Sequence, residues 1–178
     1  PKYRGASPIN YALFNGDKKT GNSIIKMVKK MDSGPILYRS FLDISDDDNA
    51  TSLSEKLAMQ GAHDILNILQ NMEKGIIKES EQNEEEATYS RKIEKNEGMI
   101  NWEDTSVSIV RKIKGLAEEP GAYTYYRKQR LKILQANPLD QTSKKPPGTI
   151  LATGGVSLKD SDLNGKGIVI TTGDYNLL

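Results

Sequence analysis

Asp32 lies in a sequence context that can hold a carboxylate in a fixed position. It begins the segment Asp32-Ser33-Gly34-Pro35, which is typical of a tight turn because Gly permits positive φ and Pro cannot donate to a strand ladder. A carboxylate at the end of a sheet strand is placed where α/β enzymes keep catalytic groups. The alternative is a structural aspartate that hydrogen-bonds within its own turn.

The residues on both sides of this turn predict two strands. Before it, a short run of β-branched and long apolar residues indicates a strand partly buried on both faces, at Ile24, Ile25, Met27 and Val28. After it, residues spaced two apart predict a second strand, at Ile36, Tyr38, Ser40, Leu42 and Ile44. The sequence therefore predicts a strand, the Asp32 turn and a strand.

Two helices are predicted in the first half of the chain. Ser7 is placed to cap a short helix that ends before Gly16. Ser52 and Glu55 form an S-x-x-E capping box ahead of apolar residues at helical spacing, which continue to Gly75. Between these helices, the run Asp46-Asp47-Asp48-Asn49 does not alternate its acids as a Ca²⁺ loop does, and it predicts a solvated turn.

The only histidine, His63, falls within the second predicted helix, where it is expected to be structural or exposed. A third helix is predicted with Thr105 as its cap. Its apolar face is expected to contain Ile109, Val110, Ile113 and Leu116.

The composition predicts a globular protein without disulfides or thiolate metal sites. The chain has 178 residues, 36% hydrophobic and 28% charged, and it contains no cysteine. We expect no metal site, no membrane segment, a cytoplasmic location and a monomer. The net charge of +1 conceals a split: residues 1–88 carry 11 Lys and Arg against 14 Asp and Glu, whereas residues 89–178 carry 14 against 10.

The second half changes from helical to strand-like patterns. The segment KESEQNEEE, residues 78–86, has the composition of a solvated linker. Two β-rich runs, Ala122–Tyr126 and Leu131–Leu134, then flank Arg127-Lys128-Gln129-Arg130 and predict a hairpin with a basic tip. Further short apolar runs separated by Gly, Asp and Asn predict a small β-barrel, at residues 148–151, 155–158 and 167–170.

Six sequence blocks, taken in order, resemble the methionyl-tRNA formyltransferases over nearly the whole chain. They are PKYRGASPIN, TGNSIIKM, MDSGPIL, ATYSRKI with GMINW, PGAYTYYRKQRLKI, and PPGTI. The resemblance implies an α/β plus β fold: a truncated Rossmann-like formyltransferase domain followed by a small OB-like β-barrel domain. We expect residues 1–77 to form the C-terminal part of the catalytic domain, 78–98 a linker, and 99–178 the OB-like domain, truncated at its end.

The implied activity moves a formyl group from 10-formyltetrahydrofolate to the amino group of initiator methionyl-tRNA and releases tetrahydrofolate. Asp32 matches the catalytic aspartate of the family, which keeps a catalytic His charged and helps to relay the proton of the amine. The Asn and His that the family uses to stabilise the oxyanion are expected upstream. Pro1 resembles the last residue of the folate-binding S-L-L-P segment, so we expect an internal fragment without activity of its own.

The resemblance also implies that the second domain binds tRNA through basic surface. The candidates are Arg127, Lys128, Arg130 and Lys132, with Tyr125 and Tyr126 available for stacking. Solvated charges on an exposed hairpin are the alternative.

Two other functions remain open from the sequence. Sugar-nucleotide N-formyltransferases share the catalytic domain, and Met27-Val28-Lys29-Lys30 is similar to their version of this loop. The second alternative is that the chain serves only as an RNA-binding module, with a passive α/β portion.

Overall fold

The computed structural model describes residues 2–117, 119–153, 167–174, 176 and 177. The chain divides into two compact units, Pro1–Lys95 with Lys114–Pro120, and Asn96–Ile113 with Gly121–Leu178. No helix of the described residues has the length and apolar character needed to cross a membrane.

The first unit combines two helices with short paired strands. Its strands are β1 (Arg4–Gly5), β2 (Lys19–Thr20), β3 (Ser23–Ile25), β4 (Ile36–Arg39), β5 (Leu42–Asp43) and β6 (Tyr89–Ser90), and its helices are α1 (Pro8–Asn15) and α2 (Ala50–Glu73). β1 pairs with β6 in parallel, whereas β2 with β5 and β3 with β4 are antiparallel. The two helices meet in a small core of Leu13, Leu53 and Leu57.

The second unit is mainly β. Its elements include the helix α3 (Ser106–Gly115), whose last two residues belong to the first unit, and the strands β7 (Ala122–Tyr126), β8 (Gln129–Ile133), β9 (Leu139–Thr142), β10 (Ile150–Thr153), β11 (Ile168–Ile170) and β12 (Asn176–Leu177). The antiparallel pairs are β7 with β8, β10 with β11, and β9 with β12. Among the described residues these remain two-stranded pairs, and none closes into a barrel.

Several local predictions are confirmed. Helix α1 starts after Ser7, whose side chain makes no capping hydrogen bond, and it ends before Gly16, which adopts the left-handed conformation expected of a C-cap. His63 is exposed on α2. The four residues predicted for the apolar face of the third helix are buried: Ile109, Val110 and Ile113 pack with Ile100 and Ala122 into the core of the second unit, whereas Leu116 follows the end of α3.

The start of α2 was predicted wrongly. Asn49, not Ser52, is the N-cap: its side chain accepts hydrogen bonds from the amides of Thr51 and Ser52, and the Ser52 hydroxyl accepts from the amide of Asn49. The capping box thus lies three residues earlier, because Asn caps as well as Ser and the helical residues begin at Ala50.

The strand before the Asp32 turn is shorter than predicted. It ends at Ile25, and Met27 is 87% exposed. The last ladder step joins the amide of Lys26 to the carbonyl of Pro35, after which the chain leaves the sheet. The predicted single strand after the turn is likewise two strands, since β4 pairs with β3 but β5 pairs with β2.

The acidic run at 46–48 is only partly the solvated turn that was predicted. Asp46 and Asp47 are exposed, but Asp48 is only 3% exposed. Its carboxylate accepts hydrogen bonds from the amide of Ser45 at 2.9 Å, the hydroxyl of Ser52 at 2.8 Å and the ammonium of Lys56 at 2.7 Å. Asp48 therefore connects the first turns of α2 to the preceding loop through hydrogen bonds.

Two sequence predictions fall on residues outside the described part of the chain. These are the folate contact of Pro1 and the β run at 155–158.

Candidate active site

Asp32 lies in the loop that joins β3 to β4, in a backbone conformation that few residues adopt. Its φ is 53°, in the left-handed region that Asp tolerates better than most residues. Gly34 is required two residues later, because a Cβ there would lie 1.8 Å from the carbonyl oxygen of Lys26. The tight turn therefore requires glycine at position 34, and Asp is one of the few residue types that suit position 32.

The carboxylate of Asp32 is held by backbone from another part of the chain. Its Oδ2 atom accepts a hydrogen bond of 2.8 Å from the amide of Gly5 in β1. Gly5 has a φ of 116°, and a Cβ on it would lie 2.4 Å from the carbonyl oxygen of Ser90. Only glycine lets β1 pair with β6 and still direct this amide at Asp32, while the Asp32 side chain stays exposed to solvent.

A buried arginine lies beside this hydrogen bond. The side chain of Arg4 is 2% exposed, and its guanidinium donates to both carboxylate oxygens of Glu84, at 2.7 and 3.1 Å. The ammonium of Lys30 donates to the same carboxylate at 2.7 Å. Hydrogen bonds from Arg4 and then Lys30 lower the pKa of Glu84 to about 2, so Glu84 stays ionised over the physiological range.

Gln82 completes the surroundings of the Asp32 loop. Its side-chain nitrogen donates to the carbonyl oxygens of Asp32, at 2.9 Å, and of Gly34, at 2.7 Å. Its side-chain oxygen accepts from Arg4 at 2.8 Å. The segment predicted as a solvated linker thus contacts the candidate catalytic loop through three of its residues: Gln82 binds its backbone, and Glu79 and Glu84 pair with Lys26 and Lys30.

Sequence reasoning singled out Asp32 but missed Gly5, Arg4, Gln82 and Glu84. Gln82 and Glu84 gave no signal, because a polar run with many charges is typical of exposed chain. At Arg4 and Gly5 the signal available was the glycine, which can mark a close backbone approach.

The four predicted cationic residues lie together on the β7–β8 hairpin, and all four are exposed. Arg127 and Lys128 form its two-residue turn, with φ of 49° and 66°, so the tip is narrower than the predicted four residues. Arg130 lies opposite Tyr125 in the ladder, and its guanidinium stacks on the ring of Tyr123 at 3.8 Å.

The remaining members of this surface extend it along one face and around the tip. Lys132 lies opposite Tyr123, which places both on the face that contains Arg130. Tyr125 meets Tyr123 edge to face, at 5.8 Å between ring centroids. The Arg127 guanidinium lies 5.2 Å from the centroid of the Tyr126 ring. The hairpin therefore presents cations interleaved with tyrosine rings.

Within the described residues no group of three or more His, Cys, Asp or Glu side chains could hold a metal ion.

Comparisons with known proteins match two parts of the chain to two formyl transferase domains. The family described as Formyl transferase matches residues 1–69, and the one described as Formyl transferase, C-terminal domain, matches residues 92–177. A methionyl-tRNA formyltransferase of Caldanaerobacter subterraneus subsp. tengcongensis is 40% identical over 85% of this chain and 49% of its own length. One from Coxiella burnetii is 37% identical over 97% of this chain and 52% of its own length. The chain spans about half the length of these curated relatives.

A solved structure shares the fold. The N-formyltransferase from Helicobacter canadensis, in complex with folinic acid and dTDP-3-aminofucose, matches with a TM-score of 0.75. It is 18% identical, over 99% of this chain and 61% of that one.

Proposed function

This chain belongs to the formyl transferase family, and we propose that it serves formyl transfer from 10-formyltetrahydrofolate to the amino group of initiator methionyl-tRNA. The observation that carries the proposal is the exposed carboxylate of Asp32, held by the amide of Gly5 within the part of the chain that matches the family. The names of the relatives support the acceptor, and the folinic acid of the Helicobacter protein supports a folate-type donor.

The exposed carboxylate of Asp32 supports a role in proton relay. When bound, the donor supplies the formyl carbon, to which the amine nitrogen forms a bond as the bond from that carbon to the donor nitrogen breaks. The amine loses a proton in the reaction, and the departing nitrogen gains one. An exposed carboxylate with one oxygen fixed by backbone can accept the first proton without reorganising, directly or through the His that the resemblance implies upstream.

We propose further that the β7–β8 hairpin contacts the tRNA. Arg127, Lys128, Arg130 and Lys132 are exposed cations, and a basic surface provides the sequence-independent part of nucleic-acid affinity. The half-exposed rings of Tyr125 and Tyr126 are available to stack on unpaired bases. Pro1 remains a proposal for the folate contact.

The proposed organisation places residues 1–77 in a Rossmann-like catalytic domain, 78–98 in a linker whose residues Ser80 and Ser90 pair with strands of the first unit, and 99–178 in an OB-like domain. The matches of the two family descriptions to residues 1–69 and 92–177 support this division. The short antiparallel pairs of the second half support the OB-like part.

A sugar-nucleotide N-formyltransferase is a second candidate. The resemblance of Met27-Val28-Lys29-Lys30 to their version of this loop supports it, and the Helicobacter protein of similar fold is described with an amino sugar nucleotide. The two candidates use the same donor and differ only in the amine.

A formylation assay with both acceptors tests the choice. The protein is a full-length formyltransferase that carries this chain, supplied with 10-formyltetrahydrofolate and either initiator methionyl-tRNA or dTDP-3-aminofucose. We expect formyl-methionyl-tRNA to form, and Asp32→Asn to slow its formation. Transfer to the sugar amine alone favours the second candidate, and binding of tRNA without any transfer favours the RNA-binding module.

A further inference from the structure

The chain that follows α2 returns along the Asp32 loop and touches it repeatedly. Ser80 and Ile36 exchange two backbone hydrogen bonds, of 2.7 and 2.9 Å, just after the loop. Ten residues further on, Ser90 pairs with Gly5, the residue that donates to the Asp32 carboxylate. Residues 80–90, which we call the strap, therefore join both strands that position Asp32.

Gln82 lies between these two attachments and uses both ends of its amide. Its side-chain nitrogen donates to the carbonyl oxygens of Asp32 and Gly34, and its side-chain oxygen accepts a hydrogen bond from the Arg4 guanidinium. The partners fix the orientation of the amide, because a flipped amide would set oxygen against two carbonyls and nitrogen against a cation. No other natural side chain of this length supplies two donors on one atom and an acceptor beside it.

The Asp32 loop needs such a contact to keep its shape. A left-handed residue costs on the order of 1 kcal/mol relative to ordinary backbone, so an exposed loop relaxes unless its neighbours hold it. Gln82 binds the carbonyl of Asp32 itself and of the residue two positions later. Loss of these bonds lets the carboxylate leave the amide of Gly5.

We propose that Gln82 is a positioning residue for formyl transfer, which holds the Asp32 carboxylate on the Gly5 amide through two carbonyl hydrogen bonds; the proposal rests on the function proposed for Asp32. The alternative is a strap that adds stability without affecting where the carboxylate lies.

The amide of Gly5 provides a direct reporter of this position. It donates to Asp32, whereas the amides on either side, of Arg4 and Ala6, donate to the backbone carbonyls of Thr88 and Ser90. Hydrogen exchange at Gly5 thus follows the carboxylate, and exchange at its neighbours follows the pairing of β1 with β6.

Hydrogen exchange is measured by NMR on a full-length formyltransferase that carries this chain, in the variants Gln82→Met and Gln82→Glu. Met removes both functions of the amide, whereas Glu keeps an acceptor for Arg4 but removes the donors. Gln70→Glu, at an exposed position of α2, makes the same charge change away from the loop. Asp32→Ala, which removes the acceptor of the Gly5 amide, sets the upper limit of the effect.

We expect exchange at Gly5 to rise about 10-fold in both Gln82 variants, with Arg4 and Ala6 within about 2-fold of the original chain. In a full-length formyltransferase that carries this chain, kcat should fall about 10-fold with KM for donor and acceptor nearly unchanged, because a small misplacement of a catalytic group slows the reaction more than it weakens binding. Gln70→Glu should change neither quantity.

Three results overturn the proposal: unchanged exchange at Gly5 in Gln82→Met, exchange that rises equally at Arg4, Gly5 and Ala6, or a variant that raises KM and leaves kcat intact. Normal behaviour of Gln82→Glu also overturns it, since the donors would then be dispensable. Failure of the proposed function is distinguishable, because it appears as full turnover in Asp32→Asn whatever the exchange at Gly5.

Discussion

The amide of Gly5 donates a hydrogen bond of 2.8 Å to Oδ2 of Asp32, across 27 residues of sequence. The same glycine approaches the carbonyl of Ser90 so closely that a Cβ would overlap it. A residue without a side chain is therefore what permits the strand pairing and the carboxylate contact together.

Gly5→Ala should destabilise the chain by about 2 to 4 kcal/mol, because it adds a steric overlap to an unfavourable φ. Gly75→Ala is the matched control: Gly75 also has positive φ, but no atom lies within 4 Å of the point that a Cβ would occupy, so only about 1 kcal/mol is expected. Urea unfolding measures both. Equal effects of the two substitutions would show that the approach to Ser90 is relaxed in solution.

Asp32→Asn should lower kcat for formyl transfer by roughly 100-fold or more, the usual contribution of general acid–base groups. The variant keeps a side-chain oxygen for the amide of Gly5, so the fold and the free energy of unfolding should change little. Asp47→Asn, at an exposed aspartate, serves as control for the charge change. Full turnover in Asp32→Asn would remove the catalytic role.

Replacing the hairpin turn tests tRNA binding without disturbing the hairpin. In the double variant Arg127→Asn, Lys128→Gly, two cations are lost, but the new residues suit a turn in which both positions have positive φ. We expect weaker binding of initiator tRNA, and a plot of log affinity against log salt that is shallower by about 1 to 2.

The control for that experiment removes two charges elsewhere in the second unit. Lys144→Gln with Lys145→Gln changes the net charge equally, at exposed positions outside the hairpin. If this control weakens binding as much as the hairpin variant does, the contact is a general effect of charge and the hairpin has no special role.

Asp48→Asn should destabilise α2 in a manner that depends on pH. Burial alone would raise the pKa of Asp48, but hydrogen bonds from Lys56, the Ser45 amide and the Ser52 hydroxyl outweigh it and lower that pKa below its usual value. The stabilisation that ionised Asp48 provides is therefore fully present above the pKa of an unfolded aspartate, about 3.9. It is lost as the pH falls through the lower pKa that Asp48 has in the folded chain.

At pH 7 Asp48→Asn should lower the free energy of unfolding by about 2 kcal/mol, which lies in the range for hydrogen bonds to a charged group. The difference in free energy of unfolding between Asp48→Asn and the original chain should become smaller as the pH falls below about 4. Asp47→Asn, one residue away and exposed, should have little effect at either pH. A difference that is constant from pH 7 to pH 3 would argue against an ionised Asp48 as the source.

The sequence by itself determined the features that depend on near neighbours. Gly16 ends α1, and the apolar face of α3 follows from residues three and four apart. The hairpin follows from two β-rich runs around a short basic tip. The turn at Asp32 could be recognised because Gly and Pro restrict local backbone in known ways.

Only the tertiary structure decided what surrounds Asp32. Its contact with Gly5 spans 27 residues, its contact with Gln82 spans 50, and the pair of Arg4 with Glu84 spans 80. The burial of Asp48 beside Lys56 was also settled by packing. Such contacts leave no periodic pattern, because a single hydrogen bond between distant residues requires only that the folded chain bring two suitable atoms within about 3 Å of each other.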